Sequence, residues 1–194
     1  MYPIYKYMET QDLTVHLAYL KLAELNKADR SETFLFESSV NGDSVDRYSF
    51  IGYRPRKIIK TGDNAEKFSP EYNGVAKHHQ AQLPGLPPLS GGAVGYISYD
   101  CIKYFEPKTR RPLKDTLQVP EAVLMMCDLI IAYDHVFQRF QIINNLHVDC
   151  DSKDIDAAYV KAAAEIKDVE AKLREPRAWE ELNPHQSPIK QNQT

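Results

Sequence analysis

One stretch, Glu121 to Val148, limits the possible folds more than any other. "AVLMMCDLIIAYD" and "FQRFQIINNLHV" are runs of aliphatic and aromatic residues on either side of a turn at about Asp134-His135. Two such runs joined by a short turn predict a long hairpin, and so antiparallel sheet. Val136, Phe137, Phe140, Ile142 and Ile143 give it enough apolar surface for at least one packed face.

Strand-like segments precede it at Thr33–Ser38, Arg47–Tyr53 and Lys57–Thr61, separated by the turn-rich "NGDSVD" and by Pro55. "LPGLPPLSGG", Leu83 to Gly92, is a rigid connection into "GAVGYISYD". The latter mixes β-formers with small residues, as strands do where another backbone comes close. Asp12 is the expected N-cap of a first helix to about Asn26, with Val15, Ala18, Leu22 and Leu25 on one stripe. A last helix follows from Ile155, Ala158, Tyr159, Ala162, Ile166, Val169 and Leu173 at helical spacing, ending before Pro176. Asp151 and Asp154 suit its positive end, Lys172 and Arg174 its negative end. Gly62 to Gln82 has weak periodicity and reads as an irregular or partly helical excursion. The closing "EPRAWEELNPHQSPIKQNQT" reads as a linker. Strands between two terminal helices predict an α+β fold with mainly antiparallel β-sheets flanked by helices.

A chain of 194 residues is long enough for one sizeable core. Its formal net charge of −3, without a long basic run, argues against nucleic acid as a partner. The longest mainly apolar run, Ala122 to Ala132, is too short to span a bilayer, so no membrane is expected. "MYPIYKYMETQ" lacks the features of a secretory signal. Three cysteines without a CxxC pair fit a reducing cytosol and free thiols, which predicts a cytoplasmic protein.

Chemistry is sparse. His78-His79 has no other ligand at metal spacing. Ser90-Gly91-Gly92 with Gly95 lacks the lysine of a phosphate loop, and close strand packing explains its glycines better. Lys108, Arg110 and Arg111 beside Glu106 are either an anion site or a solvated loop. No catalytic residues emerge. "FLFESS", Phe34 to Ser39, is different, because two phenylalanines and a leucine run straight into a carboxylate. Alternation sends Phe34, Phe36 and Ser38 one way, Leu35 and Glu37 the other. Glu37 at a buried strand end either pairs with Arg47 across neighbouring strands or receives a ligand's ammonium. In the second reading Ser38, Ser39 or Ser49 supply hydrogen bonds. Glu37 and Ser38 can face one ligand only if regular pairing breaks at Glu37–Ser39.

In order, "FLFESS", "DRYSFIG", "PGLPPLSGGAVGYISYDCIKYFEP" and "PEAVLMMCDLIIAYDHV" resemble the N-terminal region of anthranilate synthase component I, in its fungal form. Aminodeoxychorismate synthases share parts of the set. The resemblance implies a cytoplasmic enzyme converting chorismate to anthranilate and pyruvate, with ammonia from a glutamine amidotransferase subunit, Mg2+, and feedback inhibition by L-tryptophan. It implies that residues 1–175 are a tryptophan-sensing region contributing strands to a β-sandwich. Residues 176–194 would lead to an absent chorismate-binding catalytic region. Chorismate and Mg2+ would belong to that region, so no cofactor is expected on this chain, and alone it would be non-catalytic. The family's Leu-Glu-Ser motif stands here as Phe36-Glu37-Ser38, and Arg47, Tyr48 and Ser49 match the following strand. The resemblance assigns Glu37 to the tryptophan ammonium and Ser38 to a further contact. Arg47 would orient Glu37 or meet the ligand carboxylate. Gly62–Gln82 departs from the family by lacking a clear amphipathic helix. A free-standing tryptophan-binding or amidotransferase-interaction module, or the corresponding region of an aminodeoxychorismate synthase, is the alternative.

Overall fold

The structure, a computed structural model, describes residues 1–9, 12–29, 32–37, 47–62, 81, 83–111, 119–147 and 155–176. Five strands form one antiparallel sheet, in the order β1 (Tyr2–Glu9), β8 (Arg139–Leu146), β7 (Leu129–Asp134), β3 (Tyr48–Tyr53) and β2 (Phe34–Phe36). A second, three-stranded sheet runs β4 (Lys57–Thr61), β6 (Ala122–Cys127), β5 (Gly92–Ile97). The helices are α1 (Val15–Asp29), the single turn α2 (Ile102–Phe105) and α3 (Ile155–Arg174). No helix among the described residues is long and apolar enough to cross a membrane.

Alternation along the strands builds two cores. Met8, Ile51, Tyr53, Ile131, Phe140 and Ile142 point to one face of the large sheet, where α1 brings Val15, Ala18 and Leu22 and α3 brings Ile166, Val169 and Leu173. Each such aliphatic side chain contributes about 1.5–3 kcal/mol on burial. On the other face Phe34 and Ile130 meet Val94 and Cys127 of the second sheet. The layers are therefore helices, sheet, sheet. This is the expected α+β arrangement with mainly antiparallel sheets packed as a sandwich.

Two glycines mark close approaches. Phe34 lies opposite Gly52, and a Cβ there would come within 2.0 Å of the Phe34 ring. A Cβ on Gly95 would stand 1.8 Å from the Val123 carbonyl oxygen, which is the backbone approach expected for "GAVGYISYD".

Several boundaries differ from the sequence reading. The segment 121–148 is not one hairpin: the chain breaks at Asp128, and β6 joins the second sheet while β7 pairs with β8. The hydrophobic run is continuous because both strands are buried, so periodicity carries no mark of the crossing. The turn at 135–138 lies where expected. β1 precedes α1, so the strands do not lie between two terminal helices. Helix α1 starts at Val15, and Thr14, not Asp12, caps it: its hydroxyl accepts the Leu17 amide at 3.2 Å. Helix α3 buries Ala162, Ile166, Val169 and Leu173, while Ile155 and Tyr159 remain exposed. Its first turns border a cleft that Ala158 and Ala162 help to line. Side chains Leu25 and Asn26, the excursion at 63–80, Asp151, Asp154 and the linker from 177 lie outside the described residues.

Candidate functional site

Pairing of β2 stops at Phe36, opposite Phe50, and Glu37 is the first residue beyond it. The strand is shorter than the Thr33–Ser38 expected. Phe34 is buried, Phe36 is half exposed and its ring lies 5.0 Å from that of Phe34, as same-face neighbours should. Freed from the ladder, the Glu37 carboxylate meets His16 of α1, Oε2 to Nε2 2.6 Å. The Glu37 side chain is 36% exposed, so it stands at a rim and not inside a core. Ser38 and Ser39 lie outside the described residues.

Glu37 and His16 border a cleft of about 1130 Å³ at one end of the large sheet. Glu9 at the end of β1, Asp12 and Thr14 before α1, and Tyr133, His135 and Phe137 of the β7–β8 hairpin complete it. Ser49 is fully buried beneath this wall, paired with Tyr133, and its hydroxyl shares a 2.8 Å hydrogen bond with His135 Nε2. The hydroxyl therefore fixes the orientation of a wall residue. Glu9, Asp12 and Glu37 are three carboxylates against two histidines, and Tyr133 and Phe137 supply aromatic surface. This combination favours a cation carried on an apolar body.

Arg47 is turned to Asp134 rather than to Glu37. Its Nη2 donates to Asp134 Oδ2 at 2.7 Å and its Nε reaches both carboxylate oxygens at 3.2 Å. This pair takes the place of the Glu37–Arg47 bridge, one of the two readings of the sequence, because Asp134 sits opposite Tyr48 on the neighbouring strand. The Arg47 guanidinium also stacks on Tyr48 and Phe137, 5.0 and 5.2 Å from the ring centres. Asp134 accepts the Val136 and Phe137 amides too, at 3.0 and 3.3 Å. Burial pushes the Asp134 carboxyl up, but the Arg47 hydrogen bond and these two amides outweigh it and hold it below the usual range. The Arg47 guanidinium is raised mainly by the same hydrogen bond. Burial raises the Tyr48 phenol. Tyr48 lies with Phe50, rings 6.1 Å apart, on the face opposite Ser49. Of the expected site residues, then, only Glu37 lines the cleft; Ser49 is buried behind it, bonded to His135, and Arg47 braces its hairpin wall. Tyr48 faces away.

Reasoning from sequence missed His16, Glu9, Tyr133 and His135. The turn at Asp134-His135 was a signal for the last two, but nothing in the sequence placed a hairpin tip beside the end of β2. Elsewhere, Lys108, Arg110 and Arg111 are exposed. Gly91 packs against Asn145, whose amide donates to the Ser90 carbonyl, which accords with the packing role expected for those glycines. Cys101 and Cys127 are buried free thiols, and burial pushes Cys127 up to about 12. His78, His79 and Cys150 lie outside the described residues.

Residues 31–193 match the family model described as chorismate binding enzyme. Over its whole length the chain is 53% identical to anthranilate synthase component 1 of Saccharomyces cerevisiae, spanning 39% of that protein. It is 41% identical to a probable anthranilate synthase component 1 of Schizosaccharomyces pombe, over 90% of this chain and 34% of that protein. A crystal structure of anthranilate synthase component I from Streptococcus pneumoniae shares the fold, with TM-score 0.53 and 21% identity over 88% of this chain and 37% of that one. This chain thus spans little more than a third of the relatives it matches, and it belongs to the chorismate binding enzyme family.

Proposed function

We propose that this chain is the tryptophan-sensing region of an anthranilate synthase component I. The cleft at the end of β2 receives the ammonium of L-tryptophan on Glu37 and its indole between Tyr133 and Phe137. The observation that carries this reading is the release of Glu37 from strand pairing onto the rim of an acidic, aromatic-walled cleft. A charge-assisted hydrogen bond of that kind contributes about 1.5–3 kcal/mol. Ser49 acts through His135, and Arg47 acts by holding the hairpin that carries Phe137.

In the same proposal the complete protein converts chorismate to anthranilate and pyruvate in the cytoplasm, with ammonia from a glutamine amidotransferase subunit, and tryptophan inhibits it. That reaction takes Mg2+ in the family. Among the described residues no three His, Cys, Asp or Glu side chains form a group that could hold a metal. The residues here do not fit the ion, and no step is derived through it. In this reading the chain is a regulatory portion, non-catalytic by itself. Calorimetric titration of tryptophan into the protein should show saturable binding, weakened at least tenfold in Glu37→Gln. With chorismate, ammonia and Mg2+, the 194-residue chain should form no fluorescent anthranilate. Unchanged tryptophan affinity in Glu37→Gln would remove the first half of the reading, and anthranilate formation the second.

A further inference from the structure

The Glu37 carboxylate, offered above to a ligand's ammonium, already has a partner. His16 Nε2 stands 2.6 Å from Glu37 Oε2, and among the described residues neither side chain has another polar contact. His16 is the second residue of α1 and its side chain is 64% exposed, so it can turn into water without disturbing a core. In the first turn of a helix an imidazolium meets the positive end of the dipole, and the Glu37 carboxylate offsets that repulsion.

The charges around the cleft give this contact a direction. Glu9 at the end of β1 and Asp12 before α1 line it without an ion pair among the described residues, and no lysine or arginine lines it. Tyr133 and His135 come from the β7–β8 hairpin. Arg47 and Arg139 stand behind that wall, 5.2 and 4.8 Å from the centre of the Phe137 ring, with Arg47 held by Asp134. Positive charge can therefore enter the lining only on the two imidazoles, whose side-chain type titrates between about pH 5 and 8. His135 shares its Nε2 with the Ser49 hydroxyl and belongs to the wall, whereas His16 sits on the carboxylate itself.

We propose that His16 is an internal competitor for the ammonium site: protonated, it closes Glu37 to the ligand, and neutral, it yields, so that tryptophan binding tightens as pH rises through the histidine range. This regulation rests on the function proposed above. Its sign does not depend on whether the imidazole leaves. An imidazolium that stays on Oε2 repels an ammonium arriving at Oε1, and one that is displaced loses its ion pair. Either way, binding favours the neutral imidazole and releases a proton. A half-exposed ion pair is a modest competitor, which sets the expected change at about three- to fivefold.

Calorimetric titration of L-tryptophan at about pH 5.5 and about pH 7.5 tests this, with indole-3-propionate as a probe that lacks the ammonium. Tryptophan should bind about three- to fivefold more tightly at the higher pH. Buffers of different ionisation heat should show a fraction of a proton released per tryptophan, and indole-3-propionate should show no such gain. His16→Gln should bind tryptophan equally at both pH values, as tightly as the parent does at the higher one, without proton release. The exposed side chain predicts an unchanged melting temperature in this variant, so lost folding does not mimic the effect. Equal tryptophan affinity of the parent at both pH values would overturn the competitor, as would a pH dependence that survives in His16→Gln and so belongs to His135. The same gain with indole-3-propionate would overturn the ammonium as the group His16 excludes. These three outcomes leave tryptophan sensing standing, whereas no saturable tryptophan binding at either pH would remove that function and this regulation together.

Discussion

Asp134→Ala should loosen the hairpin wall of the Glu37 cleft and destabilise the fold by about 1–3 kcal/mol. The Asp134 side chain is 8% exposed and holds Arg47 on one side and the Val136 and Phe137 amides on the other. Arg47 is 45% exposed, so after solvent screening the ion pair contributes at most about 1 kcal/mol. The two amides lose a charged acceptor at an exposed turn where water recovers part of the bond, leaving about 1–2 kcal/mol. Asp134→Asn keeps an acceptor for the amides and should cost only about 1 kcal/mol. Urea unfolding with an unchanged m value reads both numbers. Acid adds a second readout. The folded Asp134 pKa lies below its unfolded value of about 3.9, so the stabilisation is complete above about pH 5 and is lost as pH falls through the folded value. Asp134→Asn should therefore flatten the acid limb of the stability curve. A loss under about 0.5 kcal/mol in Asp134→Ala, or an unchanged acid limb in Asp134→Asn, would refute the bracing role given to this pair.

Other outcomes follow from the cores and the strand contacts. Ile142→Ala, at a fully buried position facing both helices, should cost about 2–5 kcal/mol in the same unfolding assay. Gly95→Ala drives a Cβ into the Val123 carbonyl and should lower the melting temperature by prying β5 from β6, an overpacking cost of about 1–3 kcal/mol. Cys127, pushed up to about 12 by burial, should resist iodoacetamide at pH 8 in the native protein and react once urea unfolds it. Thr14→Ala removes the α1 cap and should cost about 1 kcal/mol by thermal unfolding.

The sequence carried a good part of this fold, in places where one physical signal acted alone. Lys57–Thr61 matches its expected bounds, and the helix Ile155–Arg174 ends before Pro176 as expected, because a strand between turns and an amphipathic helix each announce themselves locally. The crossing at Asp128 was hidden because the apolar run continues through it, with β7 almost wholly buried and β6 at least partly buried along its length, so β6 and β7 read as one. Strand β1 was hidden because "YPIYKYME" buries only Pro3 and Met8 and reads as a polar terminus. At the site, the strand end at Glu37 was legible from the shift from phenylalanine to carboxylate. Its partner was not. The choice of His16 over Arg47 depends on where α1 begins and on Asp134 standing opposite Tyr48, which are relations between distant segments.

A crystal structure of the protein grown with L-tryptophan tests the central claim most directly. The account predicts the ammonium within hydrogen-bonding distance of the Glu37 carboxylate and the indole between Tyr133 and Phe137, on the helix-bearing side of the sheet. Tryptophan on the Tyr48–Phe50 face, or bound without contact to Glu37, would contradict it.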